Sequence, residues 1–424
     1  MIGIKNFFVY SKEKEKEAYV WNSVSAILNS FQSVVILMVI SRIDNINDAG
    51  TFVIAYAIAN LMIMIGKYGI RHYQVSDIKE KFSFKTYFVH RITTTIMMIL
   101  VAVIYVSFFM LRGEYDLNKS IVVILICAIK AVDAFEDVFH GMFQQHARLD
   151  IGGKILSFRL FIYIVEFMVV YYFSHRLIFT GLICLITTLC LMIVLNTMAL
   201  KEFPFERGDI DRGQFKSLCV DCFPLFISTF LMAYVGNAPK YSIDVVLSSQ
   251  EQAQFNYIFM PVFVISLMST FIYQPMINRL AIIWNKNQFS KFWKLIFRQI
   301  VIILGLTAAA MGGGYLLGIP VLSLLYSVDL SAYRIELTIL LLGGGMLALV
   351  NFFTMVITVT RYQKYLIWGY IVISAAFVLR GKTTAATYGI EGISIFYTAA
   401  MFVLALIFFI YIIVISRISD ERKK

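Results

Sequence analysis

The chain reads as an all-α polytopic membrane protein, with twelve transmembrane helices in two six-helix bundles. Three observations predict this. Of its 424 residues, 60% are hydrophobic and 15% charged, with a mean hydropathy of +0.79; soluble domains run nearer about 45–50% apolar and about 25% charged. Apolar stretches of spanning length, about 20 residues, recur from one end of the chain to the other. The Lys and Arg residues between them alternate in density: 28 of the 37 fall on the side of the first segment, 8 on the other, and Lys130 lies within a span. Such a bias orients the chain with both termini in the cytoplasm. Because only helices or closed barrels satisfy the backbone in lipid, long apolar runs without alternation are helices.

The opening stretch, MIGIKNFFVYSKEKEKEAYV, lacks the basic, apolar and small-residue order of a cleaved signal peptide, and is expected to form a cytoplasmic, interfacial leader. In the first half, spans are expected at Tyr19–Ile40, Ala49–Gly66, Tyr87–Leu111, Ser120–Phe143, Ile155–Phe173 and Ile178–Leu200. In the second they are expected at Leu218–Val235, Phe255–Met276, Lys294–Leu317, Ile335–Val359, Tyr365–Leu379 and Gly389–Ile415. The most polar connection, KEFPFERGDIDRGQFK, divides an N-terminal bundle (1–200) from a C-terminal one (217–424) as a cytoplasmic linker at 201–216. Six is even, so both halves begin on the same side, which fits a parallel repeat about an axis along the membrane normal. Pro224 and Pro261 permit kinks within spans, and the triplets Gly312–Gly314 and Gly343–Gly345 permit close helix approach.

The fourth span carries the unusual chemistry. Ser120 to Ile129 is uncharged but too short to cross, so the span continues through Lys130, Asp133, Glu136 and Asp137. At about 100° per residue these four and His140 fall within roughly a 120° arc. An ionisable group near the midplane costs at least about 2.5–3.5 kcal/mol, so this face must look into a wet cavity or onto partners in a bundle. In the fifth span Arg159, Tyr163 and Glu166 share a face, and a short loop brings that helix beside the fourth. Two readings stay open: a cavity whose cations receive an anionic substrate while its carboxylates exchange protons or sodium, or a self-neutralising network that pins helices together.

Other chemistry is not signalled. No G-x-S-x-G, H-E-x-x-H or Walker loop occurs, the longest expected outer connection (Gly236 to Gln254) is too short for a domain, and neither catalysis nor a cofactor is expected. Asp44 and Asp48 are read as helix caps rather than metal ligands, and His72, His90, His140, His146 and His175 lack ligand spacing. Cys219 and Cys222 form a C-x-x-C without a redox or zinc context and are read as packing residues. The net charge of +11 lies in short segments between spans, so it marks topology rather than nucleic-acid binding.

Four stretches carry a family resemblance: YGIRHYQVSD (68–77), MFQQHARLDIGGK (142–154), NAPKYSID (237–244) and LGIPVLSLLYSVDLSAYR (317–334). With twelve spans in two sixes, the chain resembles the bacterial polysaccharide-repeat-unit flippases, the O-antigen and capsule transporters of the MOP superfamily. The resemblance implies a substrate, an oligosaccharide on undecaprenyl diphosphate. It also implies movement from the inner to the outer leaflet of the cytoplasmic membrane, by alternating access between the bundles. H+ or Na+ is the coupling ion to expect, the polysaccharide polymerase a partner, and a monomer the working form. On this reading Lys130, Arg159 and Lys240 guide the diphosphate, Lys240 and Tyr241 form an outer gate after Pro239, and Arg71 meets the diphosphate at the cytoplasmic mouth. Asp133, Glu136, Asp137 and Glu166 are the ion-coupling candidates, and Gln144, Gln145, Asn237 and Gln274 the sugar-facing amides. The related lipid II flippases carry arginines within the first span; here Arg42 stands only at its outer end. Two alternatives are a multidrug cation antiporter of the same superfamily, which would export a cationic dye, and a membrane glycan polymerase, which would use a large outer loop.

Overall fold

The computed structural model of the chain describes residues 2–43, 46–76, 82–203, 212–273 and 276–421. Among them every regular element is a helix, and ten helical stretches are long and apolar enough to cross a membrane. Two further crossings bring the count to the twelve expected. One is α6, whose charges set it apart from the apolar ten but whose 29 residues extend about 43 Å. The other arises because Gln363–Ile418 is one helical stretch of 56 residues that breaks at Gly389 (φ 58°, ψ −145°). Glycine alone adopts that backbone without strain.

The described residues divide into two compact units, Met1–Ala233 and Tyr234–Lys424. The first holds α1 (Ile2–Val9), α2 (Lys14–Arg42), α3 (Ile46–Lys67), α4 (Ile70–Ser76), α5 (Phe84–Leu111), α6 (Leu117–Gln145), α7 (Leu149–Ser174) and α8 (Leu177–Leu200). Its axis is α6, which packs against α3, α5, α7 and α8 and is buried along nearly its whole length from Ser120 to Phe143. That position explains the sequence: a helix with neighbours around it can carry charge where a lipid-facing one cannot.

The short leader α1 is fastened to the start of α7. Arg148 grips Asp150 with two hydrogen bonds of 3.0 Å and donates to the Val9 carbonyl, while Ser11 donates to Asp150. Lys154 joins Glu17 at 2.6 Å and Ser11 at 2.9 Å. The motif MFQQHARLDIGGK is therefore, in its second half, the socket for the N-terminal segment.

The first unit is completed by the beginning of α9 (Arg212–Ile243). Tyr68 stacks on Phe226 at 4.6 Å, Tyr73 donates to Asp221 at 3.0 Å, and the Cys219 sulfur lies 3.1 Å from His90 Nε2. Leu225 meets the turn at Gly69, whose φ of +70° favours glycine.

The second unit contains the rest of α9, α10 (Ser249–Tyr273), α11 (Ile277–Asn285), α12 (Phe289–Gly313), α13 (Ile319–Tyr326), α14 (Arg334–Val359), α15 (Leu366–Ala376) and α16 (Lys382–Glu421). Its axis is α14, which packs on α10, α12 and α16. The Gly343–Gly345 triplet acts as expected. A methyl group on Gly343 would meet Tyr397 and Thr398 of α16, one on Gly344 the Val262 backbone of α10, and one on Gly345 Thr307 of α12. Gly312 and Gly313 face open space instead. Counting spans, α6 and α14 are each the fourth of their half; the charged run of α6 has no counterpart in α14, whose middle is glycine and aliphatic.

Three connections are more helical than the sequence suggested. The Gly236 to Gln254 stretch shrinks to five residues, 244–248, because α9 continues through Pro239 and Lys240 to Ile243. The ninth span continues past Leu317 through a π turn (Gly314–Gly318) into α13, and another π turn (Phe377–Gly381) joins α15 to α16. Gly, Pro and Lys look like loop formers in sequence, but near the end of a span a backbone hydrogen bond kept within the helix is worth more than one left open. Residues 204–211 of the expected linker lie outside the described residues.

Candidate functional site

In the first unit the α6 charges meet partners from α4, α5, α7 and α8. Asp133 is held between Lys130 Nζ at 3.0 Å and Arg159 Nη2 at 2.7 Å. Arg159 also donates through Nε to Glu136 at 2.9 Å, and the other Glu136 oxygen accepts from Asn196 Nδ2 at 2.9 Å. Lys130 additionally faces the Tyr56 ring, 5.0 Å from its centroid. One turn along from Asp133, Asp137 bridges two arginines: Arg91 Nη2 at 2.9 Å and Arg71 Nη1 at 3.1 Å. Arg91 donates onward to the Gly66 carbonyl at 2.8 Å, and Arg71 to Gln144 Oε1 at 3.2 Å.

The backbone makes this possible at two places. A Cβ on Gly66 would stand 2.8 Å from the Ala134 Cβ, so only glycine lets α3 lie this close to α6. Tyr68 (φ 48°) and Gly69 (φ 70°) then form a tight left-handed turn that swings α4 back, setting Arg71 against α6.

Charge within the cluster is unequal. Lys130, Asp133, Arg159 and Glu136 balance, two cations against two carboxylates. In the trio Arg71–Asp137–Arg91, two cations share one carboxylate, and Lys67 adds to the positive field around Asp137. One positive charge is therefore in surplus among the contacting groups. Arg91 is completely buried, whereas the Arg71 side chain keeps 30% of its surface. The surplus is presented by Arg71.

The residues singled out from sequence thus separate. Lys130, Asp133, Glu136, Asp137, Arg159 and Arg71 come together in one network. Glu166 does not join it; it accepts from Thr187 of α8 at 2.7 Å, and its other oxygen is buried without a partner. Arg42 lines an open cleft of ≈ 500 Å³ with Ile43, Tyr172, Phe173 and His175. In the second unit Lys240 lies buried within α9, and Tyr241 stacks on Tyr234 at 5.6 Å. Asp48 accepts from Tyr171 at 2.8 Å; Asp44, Asp77 and Gln274 lie outside the described residues. No cluster of metal-ligating groups occurs among the described residues.

Arg91 and Asn196 were missed from sequence. Arg91 stands at a span's start, where it counts as an orienting charge, and Asn196 is a lone amide; the only signal was an α6 carboxylate count larger than its own cations could balance.

A family model described as polysaccharide biosynthesis protein matches residues 17–281. The capsular polysaccharide biosynthesis protein CapF of Staphylococcus aureus is 22% identical over 323 residues, 76% of this chain and 79% of that protein. Among solved structures, the lipid II flippase MurJ in an inward closed conformation gives a TM-score of 0.70 at 13% identity, over 93% of this chain and 87% of that one. A multidrug resistance MATE family transporter of the MOP superfamily, inward-facing, gives 0.68 at 12% identity, over 95% and 99%. At such identities the likeness is one of fold.

Proposed function

This chain belongs to the polysaccharide biosynthesis protein family, and from that premise we propose that it is a flippase for oligosaccharides carried on undecaprenyl diphosphate. It works in the bacterial cytoplasmic membrane with both termini in the cytoplasm, and passes its substrate from the inner to the outer leaflet by alternating access. The observation that carries this reading is the surplus positive charge that Arg71 presents beside a membrane-embedded network. A diphosphate entering low-dielectric surroundings needs a cation, and a guanidinium supplies a planar fork that matches phosphate oxygens.

The roles divide along the geometry. Arg71 receives a phosphate by exchanging its bond to Gln144 or Asp137 for one to the ligand, and Arg91 keeps Asp137 neutralised while it does so. Lys130 and Arg159, already compensated by Asp133 and Glu136, hold α6 and α7 in register and contribute field rather than contacts. Glu166, with one oxygen unfilled, is the carboxylate best placed to take up H+ or Na+. Lys240 and Tyr241 act toward the outer leaflet. An organic cation is a poor ligand for a site of this sign, which weighs against a multidrug antiporter.

The test uses purified protein in proteoliposomes carrying labelled undecaprenyl-diphosphate oligosaccharide, with and without an ion gradient. Exchange of label between leaflets should be faster than in protein-free vesicles, and should fall in Arg71→Ala while Arg71→Lys retains part of it. Folded protein that leaves the exchange unaltered but exports a cationic dye would sink the reading.

A further inference from the structure

Charge in the second unit is handled differently. Lys240 is only 6% exposed, yet among the described residues no carboxylate pairs with it. Instead the ammonium faces two rings, 5.5 Å from the centroid of Phe259 and 5.7 Å from that of Phe263. Two aromatic faces partly stabilise a cation but leave its hydrogen-bond donors unused.

The rings belong to one stripe of α10. Gln252, Asn256, Phe259 and Phe263 fall within about 60° of arc, and the two ends of the stripe are fixed against Lys240: Gln252 Nε2 approaches the Lys240 carbonyl at 3.5 Å and the two rings face the ammonium. Asn256 sits between them, 1% exposed, and neither its Oδ1 nor its Nδ2 has a partner. The Phe259 ring also receives Tyr397 of α16 edge-on at 5.1 Å, and the Tyr397 hydroxyl is buried and unpartnered too.

Each buried polar group left open costs about 1–3 kcal/mol, and an uncompensated buried cation costs more. One kind of ligand satisfies both sets of donors. An oxyanion balances Lys240 and accepts from the Asn256 amide; a water would leave the charge unbalanced, and a metal cation would be repelled by Lys240. We propose that Lys240 and Asn256, walled by Phe259 and Phe263, form an oxyanion subsite that takes a phosphate of the lipid diphosphate or a carboxylate of an acidic sugar in the glycan. This rests on the flippase reading and gives the second unit an anion site of its own.

The test compares wild type with Lys240→Met, Lys240→Arg and Asn256→Val, all as full-length protein in detergent. Two labelled probes are bound at equilibrium: undecaprenyl diphosphate without sugar, and a lipid-free oligosaccharide containing glucuronate. Lys240→Met removes an unpaired buried charge, so its thermal midpoint should not fall. It should nonetheless bind one probe about tenfold more weakly or worse, with Lys240→Arg in between. Loss confined to undecaprenyl diphosphate assigns the subsite to phosphate; loss confined to the acidic oligosaccharide assigns it to a sugar carboxylate. Asn256→Val should weaken the same probe, and joined to Lys240→Met should add little, since both act on one ligand. Lys240→Met that binds both probes as wild type does overturns the proposal, and so does wild type that binds neither. Wild type that binds undecaprenyl diphosphate through Lys240 but never accelerates leaflet exchange keeps the subsite and removes the flippase reading.

Discussion

Arg91 and Asp137 hold each other at 2.9 Å inside the first unit, the arginine with no exposed surface and the aspartate with 6%. Around that pair the neighbouring charges divide into those buried within pairs and Arg71, whose side chain keeps 30% of its surface. Arg91 belongs to the fold. Its Nη1 donates to the Gly66 carbonyl, so one side chain ties α3, α5 and α6 together.

Asp137→Ala should therefore be among the most damaging single changes in the chain. It strands Arg91 in the interior, and breaking a buried pair from one side costs about 3–5 kcal/mol. A sharp fall in the thermal unfolding midpoint in detergent is expected, or loss of folded protein from the membrane.

Arg71→Ala is expected to behave in the opposite way. The pair Arg91–Asp137 survives it, and a partly exposed ion pair contributes at most about 1 kcal/mol. The midpoint should barely move while leaflet exchange of the lipid-linked glycan collapses. Equal losses of stability and exchange would return Arg71 to the scaffold.

Lys130 and Arg159 share Asp133, so their effects should not add. Lys130→Met leaves Asp133 on Arg159, whereas Arg159→Met also uncovers Glu136. A double-mutant cycle on the unfolding midpoint should show the arginine change as the larger, with a coupling of about 0.5–3 kcal/mol.

Gly66→Ala should destabilise through overpacking by about 1–3 kcal/mol, because the new methyl group meets Ala134 and Met98. Ala134→Gly in the same chain should recover much of the loss. No recovery would mean that the damage lies in the Gly66 carbonyl and its two donors, Arg91 and Thr94.

The sequence shows most of the fold, because apolar runs and Lys/Arg bias are local signals. Charges on one face of α6 are legible too, since helical periodicity alone puts Lys130, Asp133, Glu136 and Asp137 together. Their partners are not. Pairing depends on which helices are neighbours, so Glu166 looks like a member of the cluster although it turns to Thr187, and Arg91 looks like an orienting charge although it is buried. Lys240 misleads in a different way: Gly236, Pro239 and Lys240 spell a loop, but the rings of α10 let a lysine stay inside a helix. Lys130 and Arg159 are balanced by Asp133 and Glu136, while the trio around Asp137 carries the surplus charge.

The contacts of α9 bear on the order in which the protein is made. Tyr68, Gly69, Tyr73 and His90 each meet a residue between Phe215 and Phe226, so six inserted spans leave this flank of the first unit without those contacts until the seventh follows. During synthesis that flank is the surface a membrane chaperone or quality-control protease would meet. A chain divided into two co-expressed fragments should accordingly reassemble better when cut in the five-residue turn 244–248 than when cut between α8 and α9.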